Sequence, residues 1–285
     1  MDVTEAFEAN RAHLRGVAYR MLGSLSEADD AVQEAWLRLA RADAGTIGNL
    51  GGWLTTVVAR VCLDMLRSRA SRREQSLDAQ PVELPAPGDP EREAALADSV
   101  GLALLVVLDT LQPAERLAFV LHDLFGVAFD EIAGIVGRSP DATRQLASRA
   151  RRRVQGAPTA DAAELVRQRA VVERFLAALR AGDMAGLIAV LDPEVVVRGA
   201  GPDDIRGAET WAKGAMQWNR GARSARPALV DGRVGVVLAP KGKLQRALQL
   251  TFAGDAIAEI EIIADPARLA ALELGMLDLK PHQLD

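Results

Sequence analysis

Apolar residues recur at helical spacing through the first 70 positions. Leu14, Ala18, Met21 and Leu22 form one stripe. After Ser26, a residue suited to an N-cap, Ala28, Val32, Ala35, Trp36 and Leu39 form a second. The stretch from Asp43 to Gly52, DAGTIGNLGG, contains four glycines and predicts a loop that stops any helix. From Trp53 towards Arg69 a third helix is predicted, with Leu54, Val57, Val58, Val61 and Met65 inward. Its other side carries Thr56, Arg60, Asp64 and Arg67, and Asp64 is spaced to hold both arginines. Residues 72–93 break the pattern: Pro81, Pro85, Pro87 and Pro90 lie among acidic and small residues, which predicts an extended tether.

Helical periodicity returns over residues 94–155. Pro113 opens a helix with Leu117, Val120, Leu121 and Leu124 on its apolar face. In FDEIAGIVGRSPDATRQLASRARRRV (Phe129 to Val154), Asp130 and Glu131 suit the positive end of a short helix whose Ile132, Ala133 and Val136 face inward. Gly137 permits a sharp turn, and Ser139-Pro140 is an N-cap followed by a first helical residue. The next helix has Ala142, Leu146, Ala150 and Val154 inward, leaving Asp141, Thr143, Arg144, Gln145, Ser148, Arg149 and Arg152 wholly or partly exposed. A short helix, a glycine turn and a polar, arginine-rich second helix predict a helix-turn-helix whose second helix enters the DNA major groove.

From residue 161 to 285 the period changes. Helices are predicted over 162–180 and 184–191, then a strand from Glu194 to Arg198 and a helix from Ala208 to Trp218. Strands follow at 228–230, 234–238, 244–252 and 257–263, and a last helix at 267–277 that offers Leu269, Leu272 and Met276 as an apolar face. The fold class is multidomain: two all-α domains, then one α+β domain.

Composition narrows the function. Hydrophobic residues make up 49% and charged residues 26% of 285, so the chain can build cores. Aromatics at 4% leave those cores to Leu, Val, Ile and Ala. The acidic opening MDVTEAFEAN predicts no secretory leader, and the longest apolar run, Val100 to Leu108, is about half a membrane span. The single cysteine, Cys62, lies among apolar residues and reads as a buried structural thiol. His13, His122 and His282 are scattered and suggest no metal site. A cytoplasmic protein is expected. The net charge is −5, yet Arg60, Arg67, Arg69, Arg72 and Arg73 form one basic island, and Arg138, Arg144, Arg149, Arg151, Arg152 and Arg153 another. Two islands in an acidic chain point to local phosphate contact.

The segments RGVAYRMLGSLSEADDAVQEAWLRL (Arg15 to Leu39) and WLTTVVARVCLDMLRSRASRRE (Trp53 to Glu74) resemble sigma region 2. The segment from Leu111 to Val154 resembles sigma region 4. Joined directly by a short acidic linker, they are similar to the extracytoplasmic-function sigma factors of bacterial RNA polymerase. The resemblance implies region 2 at 1–71, a linker at 72–93, region 4 at 94–155 and, at 161–285, a SnoaL-like, cystatin-type regulatory domain.

It implies core RNA polymerase (β and β′ subunits), promoter DNA and an anti-sigma protein as partners, with no membrane, cofactor, metal or catalytic residue. Asp29, Asp30, Gln33, Glu34 and Trp36 would face polymerase. Asn49 would lie in the loop that captures a flipped base of the minus-ten element, with Arg60, Arg67 and Arg69 along the single strand. Ser139, Thr143, Arg144, Gln145 and Ser148 would meet the minus-thirty-five element, and Arg149, Arg151 and Arg152 its phosphates. Two stretches depart from the SnoaL-bearing group: RGAGPDD (Arg198 to Asp204) replaces a DGGG signature, and ADPARL (Ala264 to Leu269) replaces Asn-Pro-Asp-Lys-Leu.

Two other readings follow from the same residues. The α+β domain could be a polyketide-cyclase-like enzyme, with Asp192, Asp203, Asp204, Asp231 and Glu261 as acid–base candidates. The chain could also be a helix-turn-helix repressor with a ligand-sensing domain, which leaves the first 70 residues without a role.

Overall fold

The computed structural model of the chain describes residues 3–43, 47–75, 101–218 and 221–277. Helices α1 (Val3–Leu22), α2 (Leu25–Leu39) and α3 (Leu50–Gln75) pack against one another. The predicted stripes are their mutual core: Leu14, Ala18, Met21, Val32, Ala35, Leu39, Leu54 and Val58 are all buried. Three helix ends differ from expectation. Ser24, not Ser26, stands at the N-cap of α2, in extended backbone. The helix α3 begins at Leu50, inside the glycine-rich stretch, because Asn49 Oδ1 accepts a hydrogen bond from the Gly52 amide at 3.0 Å. A Cβ on Gly52 would stand 2.8 Å from the Asn49 side-chain nitrogen, so the glycine makes room for the cap. At its other end α3 runs on to Gln75, past the expected boundary at residue 71. The tether from residue 76 onward lies outside the described residues.

The segment expected to be region 4 comprises α4 (Leu102–Asp109), α5 (Pro113–Phe119), a π-helical turn at Val120–Leu124, α6 (Phe129–Val136) and α7 (Pro140–Gln155). The helix-turn-helix has the predicted chemistry. Gly137 ends α6 at φ 71°, a left-handed conformation that glycine adopts without strain. Ser139 Oγ then accepts from the Ala142 amide at 3.2 Å. Ile132, Ala133, Val136, Leu146, Ala150 and Val154 are buried, whereas Leu124, in the wider π turn, is only half-buried.

The α+β part contains α8 (Ala162–Ala181), α9 (Met184–Ala189), β1 (Leu191–Arg198), β2 (Ile205–Arg206) and α10 (Ala208–Ala215). They are followed by β3 (Ala225–Val230), β4 (Arg233–Leu238), β5 (Arg246–Ala253), β6 (Ala256–Ile263), α11 (Pro266–Ala271) and β7 (Leu274–Gly275). The seven strands form one sheet in the order β2-β1-β6-β5-β4-β3-β7, parallel only between β1 and β6. Aspartates cap three helices: Asp161, Asp183 and Asp265 accept from the amides of Glu164, Gly186 and Arg268 at 2.8–2.9 Å. The core joins Val172, Phe175, Leu176 and Leu179 of α8 to Trp211 and to Val195, Val236 and Ile260 of the sheet. Phe175 stacks on Trp211 at 5.7 Å and 18°.

Here the main correction concerns the end of the chain. The predicted helix over 267–277 stops at Ala271, and the following residues pair with the edge of β3 through Leu274 and Gly275. Asp231 fixes this segment: its amide donates to the Glu273 carbonyl, and its Oδ1 accepts from the Glu273 amide, both at 2.8 Å. Leu272 and Met276 are therefore off the helix, and the apolar face Leu269-Leu272-Met276 does not form. Strand β2 was also absent from the sequence reading.

By contact the described residues divide into two compact units. One holds residues 3–75 and 108–151, and the other holds 101–107 and 152–277. The boundaries fall inside α4 and α7, so the α-helical unit contains both region 2 and most of region 4.

Candidate nucleic-acid and polymerase interfaces

The outward face of α7 is set by what its inner face buries. Leu146, Ala147, Ala150 and Val154 are inside, which leaves Asp141, Arg144, Gln145, Ser148, Arg149 and Arg152 exposed as one strip at i, i+3, i+4, i+7, i+8 and i+11. Arg144 is preoriented at the start of this strip. Its Nη1 lies 2.5 Å from Asp141 Oδ1, and its guanidinium sits 5.6 Å from the centre of the Phe129 ring. Ser139 is exposed at the cap.

Thr143 corrects the reading. Expected outward, it is fully buried, and its Oγ1 donates to the Ser139 carbonyl at 3.0 Å. It supports the helix start and is not available to a base edge.

Two phosphate candidates are already held by acids. Arg149 Nε lies 3.1 Å from Glu115 Oε1, and Arg151 Nε lies 2.5 Å from Asp123 Oδ1. Both acids are well shielded, so these pairs tie α7 to α5 and its π turn.

In region 2, Asp29, Asp30 and Gln33 are exposed on α2, with Glu34 half-exposed and paired to Arg38 at 2.9 Å. Arg15 grips Asp29 with two bonds of 2.6 and 2.9 Å. Trp36 is half-buried against Phe7, ring centres 4.9 Å apart. Sequence reasoning missed Leu37. It is 42% exposed, one of two large exposed hydrophobics among the described residues, and it continues the outward line Ser26-Asp30-Gln33. The signal was available: Leu37 lies outside the Val32-Ala35-Leu39 stripe.

The minus-ten candidates are spread along α3. Asn49 is exposed while capping the helix, and Arg67 is exposed, 4.0 Å from Asp64. Arg69 is turned inward, donating to the Leu22 carbonyl at 3.2 Å and pairing with Glu27. Arg60 is exposed, and its Nη2 donates to the Gly134 carbonyl of α6 at 3.3 Å.

Cys62 is buried, and burial pushes its thiol up to about 12. At pH 8 roughly one thiol in 10⁴ is then ionised. Maleimide should modify the native protein slowly and the urea-unfolded protein fast, as read by intact mass. Rapid stoichiometric labelling of the native chain would contradict this environment.

The acids weighed for catalysis hold turns and surface pairs. Asp192 Oδ1 accepts from the Glu194 amide at 2.8 Å, Asp204 meets Arg198 at 3.4 Å and Glu261 meets Arg268 at 2.6 Å. Asp231 holds Glu273 and Gln249, and Asp203 is exposed. His282 lies outside the described residues. Among these residues no group of three His, Cys, Asp or Glu could hold a metal, and no helix is long and apolar enough to cross a membrane.

The family model for Sigma-70 region 2 matches residues 6–72, and that for Sigma-70 region 4 matches residues 101–165. A Mycobacterium tuberculosis protein named "Probable ECF RNA polymerase sigma factor SigI" is 36% identical over 286 residues, covering 96% of this chain and 97% of its own. The ECF RNA polymerase sigma factor SigJ of the same organism is 44% identical over 204 residues, 70% of this chain and 65% of that one. The crystal structure of SigJ covers 94% of this chain and 98% of its own at 34% identity, with a TM-score of 0.48.

Proposed function

Because the chain belongs to the extracytoplasmic-function family of RNA polymerase sigma factors, which bind core polymerase and promoter DNA to direct transcription initiation, we propose how its own residues divide that work. Helix α7 reads the upstream promoter element. Arg144, Gln145 and Ser148 meet base edges, Ser139 meets the backbone at the helix N-terminus, and Arg149, Arg151 and Arg152 meet phosphates. Arg149 and Arg151 do so by sharing guanidinium donors with the acids they already hold. The observation that carries this reading is the continuous outward strip of α7, whose inner neighbours are all buried. Asn49, Arg60 and Arg67 serve the melted downstream element, where trapping an extruded base supports promoter opening, and Arg69, held by the Leu22 carbonyl and Glu27, ties α3 to the first two helices instead.

Core polymerase, through its β and β′ subunits, docks on α2 through Asp29, Asp30, Gln33, Glu34 and Trp36, together with the exposed Leu37 of the same helix. An apolar side chain exposed in the free protein and covered in the complex contributes directly to affinity. Leu37→Arg should weaken core binding about tenfold or more, measured by titration of labelled protein with core enzyme. Wild-type affinity would remove Leu37 from the interface. An anti-sigma protein competing for this surface is the further partner of this reading. The α+β unit sets the output of the promoter-reading regions instead of catalysing a reaction, and its apolar interior with acids spent on turns supports that role.

The reading as a whole is tested by transcription from a genomic promoter pool with core polymerase plus this protein. A discrete set of promoters should be selected, and no selection above core enzyme alone would overturn it.

A further inference from the structure

Two acids behind α7 have no part in the functions above: Glu115 of α5 and Asp123 of the π-helical turn. Both are nearly enclosed, with side chains 11% and 15% exposed, and each ends on an arginine of α7. Glu115 Oε1 lies 3.1 Å from Arg149 Nε, and Asp123 Oδ1 accepts from Arg151 Nε at 2.5 Å. The arginines themselves are 51% and 39% exposed, so each pair has its anion inside and its cation at the surface. Contact is made through Nε, which leaves four N–H groups on the two terminal nitrogens of each guanidinium. The second oxygen of Asp123 is buried without a hydrogen-bond partner, so Arg151 is the group that answers its charge.

These pairs differ from the one at the start of the helix. Asp141, beside Arg144, is exposed, and water and salt screen it. Arg152 is exposed and has no ion pair among the described residues. The enclosed carboxylates are screened far less, and they oppose the arginine charge at any ordinary salt concentration.

We propose that Glu115 and Asp123 are internal counterions that set the specificity of promoter binding. They cancel the attraction of Arg149 and Arg151 for duplex of any sequence, and they hold both guanidinium groups in position for the phosphates of the correct site. The inference rests on the phosphate role given to these arginines above. Non-specific binding is driven by net charge and counterion release, and it does not depend on orientation. A guanidinium with a carboxylate behind it has little net charge at a distance, yet its outer N–H groups still make short, directional bonds to phosphate. Random binding therefore loses more than registered binding does. What decides occupancy is this ratio, because random sites greatly outnumber the promoter.

The test uses holoenzyme assembled from the full chain and core polymerase, binding a cognate promoter in competition with random-sequence duplex across a salt series. Asp123→Asn and Glu115→Gln keep the shape and remove the charge. Each should strengthen random-duplex binding several-fold and steepen its salt dependence by about one ion. The promoter-to-random ratio should fall several-fold, because the promoter complex gains the same charge but loses the orientation. Asp123→Glu, which restores the charge, should recover most of the wild-type ratio. An unchanged salt dependence and ratio overturns the proposal. So does weaker promoter binding with no steeper random-duplex dependence, the signature of pairs that only brace α7. Wild-type promoter affinity and salt dependence in Arg149→Ala and Arg151→Ala would instead overturn the phosphate assignment, and the counterions with it.

Discussion

Phe175→Ala is expected to destabilise the α+β unit by about 3–5 kcal/mol, the range for removing a fully buried aromatic ring. Phe175 sits on the inner face of α8, wholly inaccessible, stacked on Trp211 and surrounded by Val172, Leu176, Val195 and Val236. With aromatics at only 4% of the chain, the aliphatic neighbours are individually too small to refill the site without moving α8 off the sheet. A domain of this size is commonly stable by about 5–15 kcal/mol, so the loss is a large fraction of the whole. Its melting temperature should fall on the order of 10 °C or more. Calorimetry should show the lower transition moving while the α-helical unit, which contains neither Phe175 nor Trp211, keeps its own. A shift below 3 °C would mean that the cavity collapses or that α8 is not the centre of this core.

The same variant tests the regulatory role. At a temperature where the variant α+β unit is melted and the wild-type unit is not, promoter-directed transcription by the two proteins should differ by several-fold. Equal output would leave the α+β unit without influence on the promoter-reading regions and reopen a search for its ligand. The departures from the fused-domain signatures are worth following in that experiment. In this chain Asp265-Pro266 opens α11 as a capped helix start, and Arg198 pairs with Asp204 across the stretch where the DGGG signature would lie.

What was legible in the sequence was local chemistry. Gly137, Ser139 and Pro140 fix a turn and a helix start by their own backbone preferences, and the aliphatic stripes of α1, α2 and α3 recur often enough to define their cores. Thr143 was misplaced because a strict i+4 series, Ala142-Leu146-Ala150-Val154, drifts around a helix of 3.6 residues per turn. The buried face instead alternates steps of three and four through Thr143, Leu146, Ala147, Ala150 and Val154. The end of the chain was misread for a different reason. Gly275 is the one local signal against a helix there, and it is weak by itself; the cause is an open edge on β3 and the carboxylate of Asp231, about 40 residues earlier. Arg116 is the extreme case. Its position in PAERLAF looks like a solvated helix surface, yet the side chain is 2% exposed, held by Asp109 and by the Arg20 carbonyl 96 residues earlier.

Arg144→Ala should weaken recognition of the upstream promoter element by about 1–3 kcal/mol, or roughly 5- to 150-fold, if the guanidinium forks onto a guanine as its position on α7 favours. The structure supplies the preorganisation that such a contact needs. Arg144 Nη1 donates to Asp141 Oδ1 at 2.5 Å, and Phe129 supports the guanidinium from α6. Losing those contacts should cost little in stability, because an exposed i,i+3 pair is worth at most about 1 kcal/mol. An unchanged melting temperature would therefore assign the effect to DNA.

Two comparisons separate a base contact from a phosphate contact. First, a base contact predicts that the loss is confined to promoters carrying the preferred base, whereas a phosphate contact predicts a uniform loss and a salt dependence shallower by about one ion. Second, Arg144→Lys keeps the charge but not the planar fork, so it should resemble alanine on the preferred base and wild type in its salt dependence. Holoenzyme binding to a promoter library at two salt concentrations measures both. Full wild-type selectivity in the alanine variant would move base recognition along the strip to Gln145 and Ser148.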